Sequence, residues 1–232
     1  MLEARNIVAG YRGEPILHGV SLQVDAKQVT TVLGPNGAGK STLFKALVGF
    51  VDLSQGSVLV DGADVSALVP YRRVRAGLGY VPQLGRIFPS LTVRENLEMG
   101  AFVARADNRR SMAEILDLFP DLAKTPKVRA GGLSGGQQTM LGMARALMLR
   151  PKVLLLDEPT AGLSPKYAQR VWQAIHEIAA LDVAVLVIEQ NVTTALHYCD
   201  YCYILRDGLN ATEGAPAQLQ GREEVEGLFV GA

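Results

Sequence analysis

The stretch from Val29 to Thr42, VTTVLGPNGAGKST, constrains this chain more than any other. Its apolar opening, Val29 to Leu33, reads as a buried strand. It breaks at Gly34-Pro35-Asn36-Gly37-Ala38-Gly39 and runs into Lys40-Ser41-Thr42. The spacing from Gly34 to Lys40-Ser41 fits G-x-x-x-x-G-K-[ST], a phosphate-binding loop. Glycines let the backbone fold back with its N–H groups facing inward, as an anion nest requires. A helix starting near Lys40 adds the positive end of its dipole. Lys40 brings a point charge for the β- and γ-phosphates, and the Ser41 hydroxyl is a hard oxygen ligand suited to Mg²⁺. Because Leu43, Phe44, Leu47 and Val48 continue the loop as an apolar-periodic helix, a ligand-free glycine turn is the weaker reading. The expected ligand is a nucleoside triphosphate.

The chain has 232 residues, enough for one substantial core. Lys plus Arg and Asp plus Glu balance at 23 each, which gives no basic field for nucleic acid. No apolar run approaches the roughly 18 residues of a membrane span, and the N-terminus lacks the layout of a signal peptide. The chain is therefore expected to act in the cytoplasm. Cys199 and Cys202 form the one C-x-x-C. Without a second pair, and with no histidine at ligand spacing beyond His197, they are expected to be half-buried reduced thiols.

Residues 2–9 and 20–24 alternate as strands around the turn-rich YRGEPILHG, and 57–60 with Asp61-Gly62 look like another strand and turn. They predict an antiparallel sheet beside the phosphate-binding core. LGYVP forms a short strand that ends at Gln83. From about 84 to 150 the apolar spacing is helical, as in TVRENLEMGAF, NRRSMAEILDLF and GGQQTMLGMARALMLR. This predicts a helical subdomain inserted into an α/β core, the whole being one domain over 1–232. Arg72, Arg73 and Arg75 read as a solvated helix face. The run Val153-Leu154-Leu155-Leu156-Asp157-Glu158 predicts a central parallel strand delivering carboxylates at its C-terminal end, where ligands bind in such sheets. A helix from Pro165 to Ala180 follows, then a second central strand, Ala184 to Gln190, and a tail of one or two small amphipathic helices.

Asp157, after four apolar residues, is placed to hold a Mg²⁺ that bridges phosphates. Glu158 can orient and deprotonate a water. Leu133-Ser134-Gly135-Gly136-Gln137 opens another helix, with Ser134 as N-cap and a bare Gly-Gly backbone open to an anion.

Taken together, these motifs and their spacing resemble the ATP-binding-cassette (ABC) ATPase family across essentially the whole chain. The resemblance implies a P-loop NTPase core with a mainly parallel sheet, a flanking antiparallel β subdomain and an inserted helical subdomain. It implies ATP and Mg²⁺ as cofactors. Tyr11 corresponds to the family's adenine-stacking aromatic, with Val20 nearby. Gly34, Asn36, Gly37, Ala38, Gly39, Lys40, Ser41 and Thr42 correspond to its phosphate loop. Gln83 matches the glutamine that looks to Mg²⁺ and to the membrane partner, and Asp157 matches the metal carboxylate beside Ser41. Glu158 matches the catalytic glutamate. Ser134, Gly135, Gly136 and Gln137 match the signature that reaches a second cassette's nucleotide in trans.

Two departures narrow the resemblance. Ala161-Gly162-Leu163-Ser164-Pro165 lacks the aspartate of the family's common S-A-L-D turn, and Gln190 stands where the family usually has a histidine switch. Glu189-Gln190-Asn191, Gly162-Leu163-Ser164-Pro165, VPQLGRIFPSLTVRENLEMG and the terminal Leu228-Phe229-Val230-Gly231 are similar to the ATPases of branched-chain amino-acid importers. That similarity implies a dimer, with a companion ATPase or a second copy, on two integral-membrane permease subunits at the inner face of the membrane. A solute-binding protein would serve it indirectly. Importers of urea and short amides share these marks, and a soluble non-transport ABC ATPase is the alternative of another class.

Overall fold

A computed structural model describes residues 1–102, 112–219 and 225. The first strands, β1 (Leu2–Tyr11) and β2 (Glu14–Val24), pair antiparallel, and β1 also pairs with β4 (Leu53–Val60). With β5 (Ala63–Asp64) they make a four-stranded sheet ordered β2-β1-β4-β5. The connection expected over residues 11–19 contracts to Arg12-Gly13, both left-handed (φ 53° and 84°), as a two-residue hairpin requires. Pro15 does not break β2 because β2 is an edge strand.

The second sheet has the order β10-β9-β3-β8-β7-β6. It is built from β3 (Val29–Leu33), β6 (Leu78–Val81), β7 (Val153–Asp157), β8 (Ala184–Ile188), β9 (Tyr201–Arg206) and β10 (Leu209–Gly214). Strands β6, β7, β8, β3 and β9 run parallel, and β10 returns antiparallel on the edge. Alternation along each strand feeds two cores, which is why the central strands read as unbroken apolar runs. Leu154, Leu156, Val185 and Val187 face one way, into the layer that holds α6 (Gly135–Leu147) and α7 (Pro165–Ala179). Val153, Leu155, Leu186 and Ile188 face the other, onto α1 (Lys40–Val48) and the antiparallel sheet.

Between β6 and β7 the described elements are helical: α3 (Val93–Ala101), α4 (Met112–Leu118), α5 (Pro120–Ala123), a 3₁₀ turn at Ala130–Gly132, and α6. Thr92 with Glu95, and Ser134 with Gln137, form reciprocal capping boxes that start α3 and α6. The start of NRRSMAEILDLF and the terminal LFVG lie outside the described residues. In the tail, α9 (Pro216–Leu219) is one short helix.

The arginine cluster on α2 (Pro70–Arg75) is a correction. Arg73 is buried, and its guanidinium donates to the carbonyls of Ala46, Leu47, Ser66 and Leu68. It satisfies the C-terminal carbonyls of α1 at the negative end of that helix. Arg72 and Arg75 remain exposed, close to the Tyr71 ring. Cys199, which ends α8 (Val192–Tyr198), and Cys202 in β9 are free thiols, more deeply buried than expected.

Candidate active site

The phosphate loop leaves β3 at its C-terminal end and enters α1 through Gly39. That residue is left-handed (φ 99°), and a Cβ there would stand 2.8 Å from Leu17 Cδ2, so only glycine fits. No side chain caps α1, which leaves its N-terminal N–H groups free for an anion. Asn36, Gly37, Gly39, Lys40, Ser41 and Thr42 line a cavity of about 210 Å³ together with Ile16 and Glu158. Ala38 is buried behind them. The Lys40 ammonium donates to the carbonyls of Gly34 (2.7 Å) and Pro35 (2.9 Å) within its own loop. Burial lowers its pKa, while the Glu158 and Asp157 carboxylates pull it back up.

Both carboxylates come from the end of β7. Asp157 closes the strand in register with Ile188, and Glu158 follows in a left-handed conformation (φ 47°). A positive φ is costly for a side chain of this size and persists only where its surroundings enforce it. Glu158 is buried to 7% exposure, and both of its oxygens are engaged. Gln83 Nε2 donates to Oε2 at 2.6 Å and Gln190 Nε2 donates to Oε1 at 2.6 Å. Two glutamines distant in sequence thus converge on one carboxylate that lines the phosphate cavity.

Asp157 accepts a bond from the Tyr80 hydroxyl (3.3 Å). Burial, and then the neighbouring Glu158 carboxylate, raise its pKa, with Tyr80, Lys45 and Lys40 acting in the opposite direction. Such a half-buried, under-compensated carboxylate, close enough to feel the charge of Lys40 in the phosphate loop, suits a divalent cation. Ser41, Asp157 and Gln83 therefore fit as the residues that would hold Mg²⁺. Among the described residues no group of three His, Cys, Asp or Glu that could hold a metal ion is found.

Tyr11 ends β1 with its ring exposed and the Lys45 ammonium 5.7 Å from its centroid, which sets it beside α1. Val20 is different. It is fully buried in the core beneath α1, out of reach of a base arriving from solvent. The residue that reaches the cavity from β2 is Ile16. The sequence reading also passed over Tyr80 and the Glu189–Thr160 pair. Thr160 N–H and Oγ1 donate to Glu189 Oε1 at 3.1 and 2.6 Å.

Ser134, Gly135, Gly136 and Gln137 do not line the phosphate cavity of their own chain. They start α6 against the first turn of α7, where a Cβ on Gly136 would stand 2.8 Å from the Tyr167 ring. Ser134 and Gly135 are exposed. The signature is thus a capped helix start with Ser134 and Gly135 facing outward, away from the phosphate cavity of the same chain.

Comparisons agree with this geometry. Residues 17–161 match the family model described as ABC transporter. The chain is 39% identical to a probable branched-chain amino acid transport ATP-binding protein, LivF, of Archaeoglobus fulgidus, over 100% of the chain and 99% of that protein. It is 38% identical to the high-affinity branched-chain amino acid transport ATP-binding protein BraG of Pseudomonas aeruginosa, over 97% of each. It is 36% identical to the lipopolysaccharide export system ATP-binding protein LptB of Haemophilus influenzae, over 100% of the chain and 97% of that protein. Among solved structures, an ATP-binding cassette of an ABC transporter in its ADP conformation superposes with a TM-score of 0.88 at 28% identity, covering 100% of this chain and 99% of that one. The phosphate loop, the paired carboxylates and the capped glycine signature, matched along the full length, place this chain in the ABC transporter family as one of its ATP-hydrolysing cassettes.

Proposed function

We propose that this chain couples ATP hydrolysis to the import of branched-chain amino acids, as one of two cassettes on the cytoplasmic face of a membrane transporter. The observation that carries the catalytic part is the double tie on Glu158 by Gln83 and Gln190 beside the phosphate cavity. The full-length likeness to LivF and BraG supports the cargo class.

The chain's own residues perform the reaction as follows. The backbone of the loop, the start of α1 and Lys40 hold the phosphates, and Lys40 exchanges its carbonyl partners for the β- and γ-oxygens. Tyr11 stacks the base, with Ile16 close to the loop. Ser41, Asp157 and Gln83 would hold Mg²⁺, which would neutralise charge on the phosphates. Glu158 accepts the proton of a water whose oxygen attacks the γ-phosphorus, while the bond to the bridging oxygen breaks and ADP leaves. Gln190 keeps that carboxylate and the water in line through its amide N–H groups.

The exposed start of α6 covers the γ-phosphate of the opposite cassette, Ser134 and Gly136 supplying the contacts. The opposite cassette is a companion ATPase or a second copy. An apolar cavity of about 310 Å³, lined by Val48, Phe50, Val74, Tyr80, Phe88 and Met99, opens between the sheet and α3. Phe50, Phe88 and Met99 are exposed there, which fits a segment of the membrane permease close to Gln83. Among the described residues no helix is long and apolar enough to cross a membrane. Two permease subunits anchor the cassette in this reading. A solute-binding protein delivers cargo to them from outside.

Co-purification with the permease subunits tests the assembly. Within it, Ser134→Arg is expected to leave ATP binding to the single cassette unchanged and to prevent the ATP-dependent dimer, because the bulk stands at an exposed helix start. A normal ATP-dependent dimer by light scattering would remove the signature from the composite site.

Gln190 has its own test, steady-state hydrolysis by the assembled complex. Gln190→Ala is expected to lower turnover about tenfold or more, the effect of losing one positioned donor. Gln190→His should preserve or raise it. The glutamine cannot titrate near neutral pH, so no limb of the wild-type profile belongs to this residue. Wild-type turnover by Gln190→Ala would make this switch vestigial.

A further inference from the structure

Glu189 is a carboxylate that the mechanism above does not use. It follows β8 directly and is 3% exposed. None of the ion pairs among the described residues includes it. Oε1 accepts both the N–H (3.1 Å) and the hydroxyl (2.6 Å) of Thr160, and Oε2 accepts the N–H of Gln190 (3.2 Å). Burial, and to a lesser degree the Glu158 carboxylate, raise its pKa, against the pull of these bonds. Packing alone would favour an apolar side chain at this depth, as along the rest of β8, because a buried carboxylate without a cation is costly.

What the carboxylate joins explains its presence. Thr160 stands two residues after Glu158, and Gln190 is the next residue after Glu189. Glu158 itself is left-handed and needs fixing on both sides. On one side its N–H donates to Ile188 O at 3.0 Å, at the end of β8. On the other side Glu189 takes both donors of Thr160. The strained residue is thereby pinned to the same strand end that carries Gln190, and their side chains meet at 2.6 Å.

We infer that Glu189 is a positioning residue for ATP hydrolysis, holding through Thr160 the turn that carries Glu158 against the strand end that carries Gln190. The inference rests on Glu158 being the base. Glu189 does not line the phosphate cavity, so its loss acts on turnover and leaves nucleotide affinity alone.

The test measures MgATP hydrolysis and binding by the assembled transporter carrying Glu189→Leu, Thr160→Val, both together, or Glu158→Gln. Glu189→Leu is expected to lower kcat about tenfold, the scale for one misplaced catalytic contact, with ATP affinity within about twofold of wild type. Its melting temperature should hold or rise, since a buried charge is removed, whereas a merely structural role would lower stability and activity together. Thr160→Val is expected to lose part of the same turnover, and the double variant no more than Glu189→Leu alone. Glu189→Gln, which retains an oxygen for Thr160, should recover part of the loss. If Glu189→Leu does not fold, Thr160→Val decides alone, and wild-type kcat in that variant overturns the inference. Wild-type kcat in both variants beside an inactive Glu158→Gln overturns this inference only. A fully active Glu158→Gln overturns the assignment of the base on which it stands.

Discussion

Glu158→Gln is expected to bind ATP as tightly as the parent and to turn it over at least about a hundredfold more slowly, the scale of a lost general base. An amide cannot take the proton of the attacking water. The structure adds a second cost. Gln83 and Gln190 both present N–H groups to the carboxylate, one to each oxygen. A glutamine at 158 offers one oxygen and one NH₂, so one tie becomes a donor facing a donor and is lost. The phosphate loop is untouched, which is why affinity should stay within about twofold of the parent's while dimers with bound ATP accumulate. Steady-state hydrolysis and equilibrium ATP binding, measured on one preparation of the assembled complex, separate the two effects. Hydrolysis at the parent rate would show that Glu158 is not the base.

Lys40→Ala is expected to have the largest effect on binding. A charge-assisted hydrogen bond of this kind is worth about 1.5–3 kcal/mol, which corresponds to roughly 10- to 150-fold in affinity. In this structure Lys40 is 6% exposed and its ammonium already bonds Gly34 and Pro35, so it shapes the loop as well as its charge. Alanine removes both functions, and the loss should fall at the upper end of that range. Titration with a fluorescent ATP analogue checks it. Affinity within a factor of two of the parent would remove the phosphate site from this loop.

Much of this was legible in the sequence because local chemistry and tertiary role coincide. The phosphate loop needs its glycines, lysine and serine wherever it occurs, and Val153 to Asp157 can be little else than a central strand. Arg73 was misread because its neighbours Arg72 and Arg75 are exposed, and only the arrival of the α1 C-terminus at α2 gives it buried carbonyls. Val20 and Ile16 lie on one strand, and the twist and register of β2 decide which of them faces the cavity. β10 was missed because LNATEG is polar and half exposed, as an edge strand can be. Glu189 was visible as a polar residue ending an apolar run. Its partner Thr160 lies in the turn after another strand, β7, and that pairing exists only in three dimensions.

The most direct test is ATP turnover and solute uptake measured in the same proteoliposomes, containing this cassette, its companion, the two permease subunits and a solute-binding protein. Leucine, isoleucine or valine on the binding protein should stimulate hydrolysis and drive uptake, and Glu158→Gln in this chain should remove its share of both. Uptake and stimulation unchanged by Glu158→Gln would contradict the account.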